Sequence, residues 1–338
     1  MKAWIALAAV VVLFVIGYAV GPLAKTVFVI AIPYLAFAVF LLGIIHRIAM
    51  VWGRAPVPFP IGTTCGQQKS LSWIKNAPFE SPSSRFGVLV RLLLEVFLFR
   101  SLFRNTRAKV KTDGRAVFRA ELLLWALSMV FHWSLFLVLV RHLRLFFEPV
   151  PRFVALVQAA DSYFELAVPS LYLSGVGMLL AASALFLRRI LSPRVRYVSL
   201  PSDYFQLFLL IGIASTGLFM RYIARTDVAS IKEMIGGLFA MQPVVPENLT
   251  PLFLSHLFLV CVLFATLPFG KLVHVAGVLF SPTRNLRCNS REVRHENPLN
   301  RRVHVRTYAQ YEEEYRDKMV ACDLPVEHSG KPTRGDAL

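Results

Sequence analysis

Charge is scarce in this chain, and negative charge is scarcest. Only 17% of its 338 residues are charged, with 20 Asp and Glu against 37 Lys and Arg. Cysteine is scarce too: Cys65, Cys261, Cys288 and Cys322 are the full set, and no two form a CxxC pair. That excludes an iron–sulfur ligand run within the chain, and the absence of CxxCH excludes covalently attached haem c. Cys261 falls inside an apolar run and reads as packing, whereas Cys65, in TTCGQQK, reads as a reduced cytoplasmic thiol. No phosphate-cradling glycine loop and no hydrolase motif occurs.

Apolar sequence is what the chain has in excess, at 56% hydrophobic residues and a mean hydropathy of +0.57. Several windows exceed the roughly 18 residues that a spanning helix needs. A net charge of +17 would suit nucleic acid. The basic residues gather between apolar runs, however, which is how membrane topology is written. Lipid is therefore the expected surroundings, and no nucleic-acid partner is expected.

Six runs read as spans: Ala3 to Val20, Val27 to Ile45, Phe118 to Phe147, Tyr163 to Leu187, Tyr204 to Ile223 and Pro251 to Phe280. The expected fold is an all-α integral membrane bundle of about six transmembrane helices. The first run reads as a retained anchor. Its Lys2, apolar core and small residues Gly17, Ala19 and Gly21 also fit a secretory signal peptide, whose removal would leave five spans. Phe86 to Phe103 is apolar as well, but Arg91, Glu95 and Arg100 interrupt it at helical spacing, so it reads as an amphipathic helix lying in the interface. The chain divides accordingly into two N-terminal spans (1–46), a basic cytoplasmic segment with the interfacial helix (47–117), a four-helix domain (118–283) and a cytoplasmic tail (284–338). The tail, with Glu312, Glu313 and Glu314 in a row, reads as flexible unless a partner orders it.

Charge counting sets the orientation. Arg47 to Arg119 carries 13 Lys or Arg against Glu80, Glu95 and Asp113. Arg188, Arg189, Arg194 and Arg196 follow the fourth span, and the tail beyond Phe280 adds 11 basic residues. The links Glu148 to Ser162 and Ala224 to Thr250 are sparse. With the basic links inside, both termini are cytoplasmic and the protein sits in the cell's inner membrane. The dense cluster Arg104, Arg107, Lys109, Lys111 and Arg115 is accounted for by topology alone, and would also suit anionic lipid or an acidic subunit.

Four histidines then stand out, because a ligand-grade polar side chain in hydrocarbon is costly. His132 and His142 lie ten residues apart in the third span, and His256 and His274 lie eighteen apart in the sixth. The orientation sorts them by depth, His142 with His256 near the outer surface and His132 with His274 towards the inner one. Two histidine pairs on antiparallel helices can hold two b-type haems, since low-spin haem iron takes two neutral imidazoles and then carries electrons. Taken singly, each histidine is as well explained by helix–helix hydrogen bonding. Ten residues rise about 15 Å and eighteen about 27 Å, so straight rods cannot level both pairs. Pro268 and Gly270 offer a kink just before His274. Arg141, Arg144 and Lys271 lie where haem propionates would want cations, or where snorkelling side chains reach the interface. His46, ending the second span, reads as interfacial, and His295, His304 and His328 in the tail read as solvated. Two other function classes fit buried histidines: a transporter or channel with a proton relay, and a non-catalytic anchor.

The stretches FHWSLFLVLVRH and SHLFLVCVLFATLPFGKLVH resemble the nitrate reductase gamma-subunit family, over roughly Ala116 to Thr283. The extra N-terminal spans, the basic segment and FSPTRNLR look closer to its DsrM-type subgroup, from the membrane complex associated with dissimilatory sulfite reduction. The resemblance implies haem ligation by His132, His142, His256 and His274. It also implies exchange of electrons with menaquinone as substrate near the outer haem, and an iron–sulfur partner subunit in the cytoplasm resembling heterodisulfide reductase. A second membrane subunit and outer-face subunits including a cytochrome c are implied too. The family uses a lysine for quinol in the outer link after its first histidine helix. That link has none here, and Arg144, Arg152, Asp161 and Glu165 are the possible substitutes.

Overall fold

The computed structural model describes residues 2–54, 66–110, 114–162, 170–291, 293 and 305–327. Among the described residues, six helices are long and apolar enough to cross a membrane, and the protein is a multi-pass helical bundle. We number them with their connecting helices: α1 Lys2–Ala19, α2 Val27–Trp52, α3 Arg85–Leu98, α4 Leu122–His142, α5 Arg152–Asp161, α6 Leu173–Leu191, α7 Pro201–Tyr222, α8 Val228–Phe239 and α9 Pro251–Thr266. The segment from Glu296 forms a separate compact unit.

Between helices in lipid, close packing of small residues replaces the hydrophobic drive, and the contacts follow that rule. A Cβ on Gly17 of α1 would come within 2.7 Å of the Ser255 Cα, and one on Gly177 of α6 within 2.8 Å of Ser134 Oγ. So α1 lies close on α9, and α6 close on α4. The packing runs α4 on α6, α6 on α7 and α7 on α9, with α1 seated on both α7 and α9. One core joins Phe131, Met178, Ala181, Ala182 and Leu210, and a second joins Val10, Leu209 and Leu259. The two histidine helices, α4 and α9, do not pack along one another. They face across the bundle rather than lying as neighbours.

Several expectations need correction. The second span continues through His46 and Arg47 to Trp52, whose ring packs against Phe280 at 5.3 Å. The third begins at Leu122, not Phe118, because Thr106–Val110 and Ala116–Ala120 form an antiparallel hairpin, β1 and β2. Gly114, at φ 80°, supplies the left-handed turn residue between them. Its signal in the sequence is the alternation Arg107, Ala108, Lys109, Val110 followed by Asp113–Gly114, a pair that favours a hairpin turn. The sixth span is broken: α9 ends at Thr266, Leu267–Phe269 and Lys271–Val273 are single tight turns, and His274 opens a short separate turn. Pro268 cannot continue the helical ladder, and Gly43 of α2 packs directly beneath it. The start of the fourth run, with Glu165, and Cys65, Lys111, His295, His304 and His328 lie outside the described residues.

The interfacial stretch is helical, as α3 and a short turn Arg100–Phe103, parted by Phe99 at φ 48°. Its charges are turned to protein partners. Arg91 is 2% exposed and donates to the carbonyls of Glu80, Arg284 and Leu286, with Nη1 also 3.3 Å from Cys288 Sγ. Glu95 pairs with Arg284 at 2.7 Å, and Glu80 pairs with Arg100 and Arg104. The apolar positions Phe86, Leu89, Leu93 and Val96 are the exposed ones. The polar face thus binds the segment that follows the sixth span, and the apolar face points away from the protein.

In the second unit, Thr307 and Gln310 form a reciprocal cap that starts a helix, α10, at Tyr308–Ala321. Glu312 is buried there, paired with Arg316 and accepting from the Glu327 amide. This part of the tail is ordered by its own cap and ion pair.

Candidate functional site: two histidine pairs

The four histidines assemble as two pairs, at two levels of the bundle. The His132 and His274 rings lie 6.0 Å apart, centroid to centroid and steeply inclined, at the end that carries α3 and the hairpin. His142 and His256 are within electrostatic reach of each other at the end that carries α5 and α8. Among the described residues no three His, Cys, Asp or Glu side chains gather as a metal site. The donors come in twos.

Each ring is held by its Nδ1. His132 meets the Ser128 carbonyl at 2.8 Å, His142 the Val138 carbonyl at 2.7 Å, and His274 the Lys271 carbonyl at 2.9 Å. A carbonyl only accepts, so in all three rings Nδ1 carries the proton and Nε2 keeps its lone pair. His256 differs, meeting the Thr216 hydroxyl at 2.8 Å. That hydroxyl has one proton, and the Gly212 carbonyl at 2.8 Å takes it, with the Ile213 carbonyl at 3.0 Å. The Thr216 oxygen therefore accepts from Nδ1–H, and Nε2 is again the free base. Gly217, next in sequence, leaves room beside the ring, where a Cβ would stand 3.4 Å from His256 Cε1.

The α3 end is walled by aromatics. Phe99 and Phe131 meet His132 edge-on at 4.9 and 5.1 Å. Trp133 and Trp125 donate to the carbonyls of Phe97 and Leu98, which pins the end of α3 against α4. At the same end Lys271, expected near a haem acid group, has its ammonium 2.8 Å from Asp203.

The other end is polar. Arg141 pairs with Asp161 at 2.9 Å, and the Ser174 amide and hydroxyl both donate to that carboxylate. Two guanidiniums stack on the Tyr172 ring, Arg141 at 3.9 Å and Arg221 at 4.3 Å from its centroid. Of the expected quinone contacts, Asp161 is thus committed to α4 and α6. Arg144 donates to Gln158 of α5, and Arg152 is exposed at the start of α5.

Thr216, Asp203, Phe99 and the two tryptophans escaped the sequence reading. Asp203 alone carried a usable signal, as an acid at the mouth of an apolar run.

The profile of the nitrate reductase gamma subunit matches residues 84–293. The chain belongs to the nitrate reductase gamma-subunit family. Within it, the chain is 42% identical over 275 residues to the Hdr-like menaquinol oxidoreductase cytochrome b-like subunit of Archaeoglobus profundus, covering 79% of this chain and 81% of that one. The subunit of the same description from Archaeoglobus fulgidus is 40% identical over 279 residues, covering 80% and 83%. The nitrate reductase gamma chain of Bacillus subtilis is 27% identical over 203 residues, covering 56% and 89%. Both histidine helices fall inside the matched family region.

Proposed function

We propose that this membrane subunit is a di-haem cytochrome b, with His142 and His256 holding one haem and His132 and His274 the other. The observation that carries the reading is the common state of the four rings: every Nδ1–H is engaged and every Nε2 is left as a free base, the form a metal takes. Two imidazoles sharing one metal through bonds of about 2 Å would have ring centroids about 6 Å apart, and the His132–His274 separation of 6.0 Å fits. A bis-imidazole haem supplies one-electron transfer without an open coordination position. The chain supplies two fixed rings at each level, a spacing set by the break in the sixth span, and an aromatic wall that keeps water from His132.

In this reading the basic α3 end is cytoplasmic and the α5–α8 end faces outward, with both termini inside. The subunit exchanges electrons with the menaquinone pool near His142 and His256. It passes them to a cytoplasmic iron–sulfur partner of the heterodisulfide-reductase kind. The names of the Archaeoglobus relatives support that pairing. Sulfur metabolism, a second membrane subunit and an outer cytochrome c remain part of the proposal by resemblance. Arg144 and Arg152 stand as the quinone contacts, while Asp161 serves by fixing Arg141 beside His142.

The test is the visible spectrum of the purified protein. Two b-type haems per chain, reducible by a menaquinol analogue, are expected. Absence of a reducible b band would leave a histidine proton relay or a bare anchor as the reading.

A further inference from the structure

His274 is the one histidine of the four that no long helix carries. The ladder of α9 ends at Thr266, and Gly270 is extended at φ −105° and ψ −173°. Something else must fix the ring, and the side chains that do so stand on the first turns of α7. Asp203, its side chain 3% exposed, accepts from Lys271 Nζ at 2.8 Å and from the Leu200 amide at 3.0 Å, with Arg189 Nη1 at 3.5 Å. Gln206, three residues on and also buried, covers Gly270 so closely that a Cβ there would overlap its amide. Lys271 faces both ways: its ammonium binds Asp203, and its carbonyl takes the Nδ1–H of His274.

We propose that Asp203, acting through Lys271 and seconded by Gln206, is the positioning residue for His274. The inference rests on the reading of the histidines as haem ligands, and deepens it by naming what orients the one ligand that lies outside a continuous helix. The chemistry is consistent at each joint. A buried carboxylate holds an ammonium best when further donors complete its lone pairs, and Leu200 and Arg189 provide them. The Lys271 backbone is tied on both sides, by its ammonium on Asp203 and by Gln206 over Gly270. Its carbonyl then meets one ring atom at a set angle. A ligand held by such a clamp depends on side chains that the other three ligands never touch.

The experiment is a comparison of D203N, K271M and H274A with the parent, all in the full chain. It reads haem per polypeptide, the low-spin ferric resonances and a potentiometric titration. D203N retains an oxygen for the Leu200 amide while losing the charge, and D203E is the rescue. D203N and K271M should each shift the resonance and the midpoint of the component that H274A removes, and lower its occupancy, with the second haem unmoved and D203E restoring part of the signal. Should D203N fail to accumulate, K271M tests the same contact from a side chain that is 69% exposed. Unchanged spectra in both variants, or equal changes in both haems, would overturn the clamp while leaving the ligand assignment intact. A parent protein without haem would instead overturn the ligand assignment, and the clamp with it.

Discussion

The two ends of the bundle solve the same problem by different means. At the α5–α8 end both histidines belong to unbroken helices, so their backbone is fixed by hydrogen-bond ladders before any side chain acts. The surroundings are polar: Arg141, Asp161 and Ser174 interlock, and a threonine orients His256. At the α3 end one histidine sits beyond a helix break, its partner is walled by Phe99 and Phe131, and both rings lean on backbone carbonyls. A ligand on a ladder survives the loss of a neighbour. On the proposed reading a histidine beyond a break depends on its clamp, and the two sites should respond unequally to the same kind of insult.

The largest effect should come from the ligands. Replacing His142 or His256 by alanine should remove one haem, and replacing His132 or His274 the other, with pigment per chain falling by about half each time. Reduced-minus-oxidised spectra of the four variants check this. A single replacement that left both haems in place would break the pairing. The two variants of a pair should also lose the same component in a redox titration.

Next comes Gly270→Ala, aimed at the break itself. The added methyl must displace Gln206, and overpacking of this kind costs about 1–3 kcal/mol. The His132–His274 haem should be depleted and the other retained, as read by pigment content and by a lowered melting temperature. The mirror-image change, Gly217→Ala beside His256, meets an ordinary contact distance and should leave both haems bound. Equal loss in the two variants would erase the contrast between ladder and clamp.

Arg91→Ala should act further off. Removing this guanidinium leaves the carbonyls of Glu80, Arg284 and Leu286 without their donor, at about 1–3 kcal/mol for buried groups so orphaned. The segment 281–288 should become sensitive to protease in detergent, with haem content unchanged. Loss of a haem instead would mean that α3 supports His132 more directly than Phe99 and the tryptophan contacts imply.

These contrasts also mark how far the sequence was legible. Six apolar runs show themselves because a spanning helix needs length and apolar character and little else. The histidines are visible because hydrocarbon makes them conspicuous, and Pro268 with Gly270 announces the break because proline lacks the ladder's donor. What sequence could not reveal depends on distant partners. Arg91 at helical spacing looks like a solvated face until the segment after the sixth span folds onto it. Residues 106–120 are a different case, since alternation and Asp113–Gly114 mark a hairpin locally and only the density of positive charge hides it. Asp203 and Lys271 are 68 residues apart, and nothing local ties them together. Charged side chains are read wrongly wherever their partner arrives from another part of the chain.

The smallest effect should come from Thr216, and it refines the comparison most. A valine has nearly the same shape, so the helix and the ring should stay in place. What is lost is the acceptor for His256 Nδ1–H, and with it some of the electron density that hydrogen bonding pushes onto Nε2. A poorer donor stabilises ferric iron less, so the midpoint of the His142–His256 haem should rise. One net hydrogen bond is worth about 1 kcal/mol, which for one electron is about 40 mV. The rise should not exceed that, since the Ile213 carbonyl beside the hydroxyl can take part of the load. The His132–His274 haem should not move, because its rings bond to backbone that Thr216 does not touch, and Thr216→Ser should restore the parent value. A potentiometric titration resolving the two components decides it. If both midpoints shifted together, the two ends would be electrostatically coupled through the bundle, and their separate supports would matter less than their shared field.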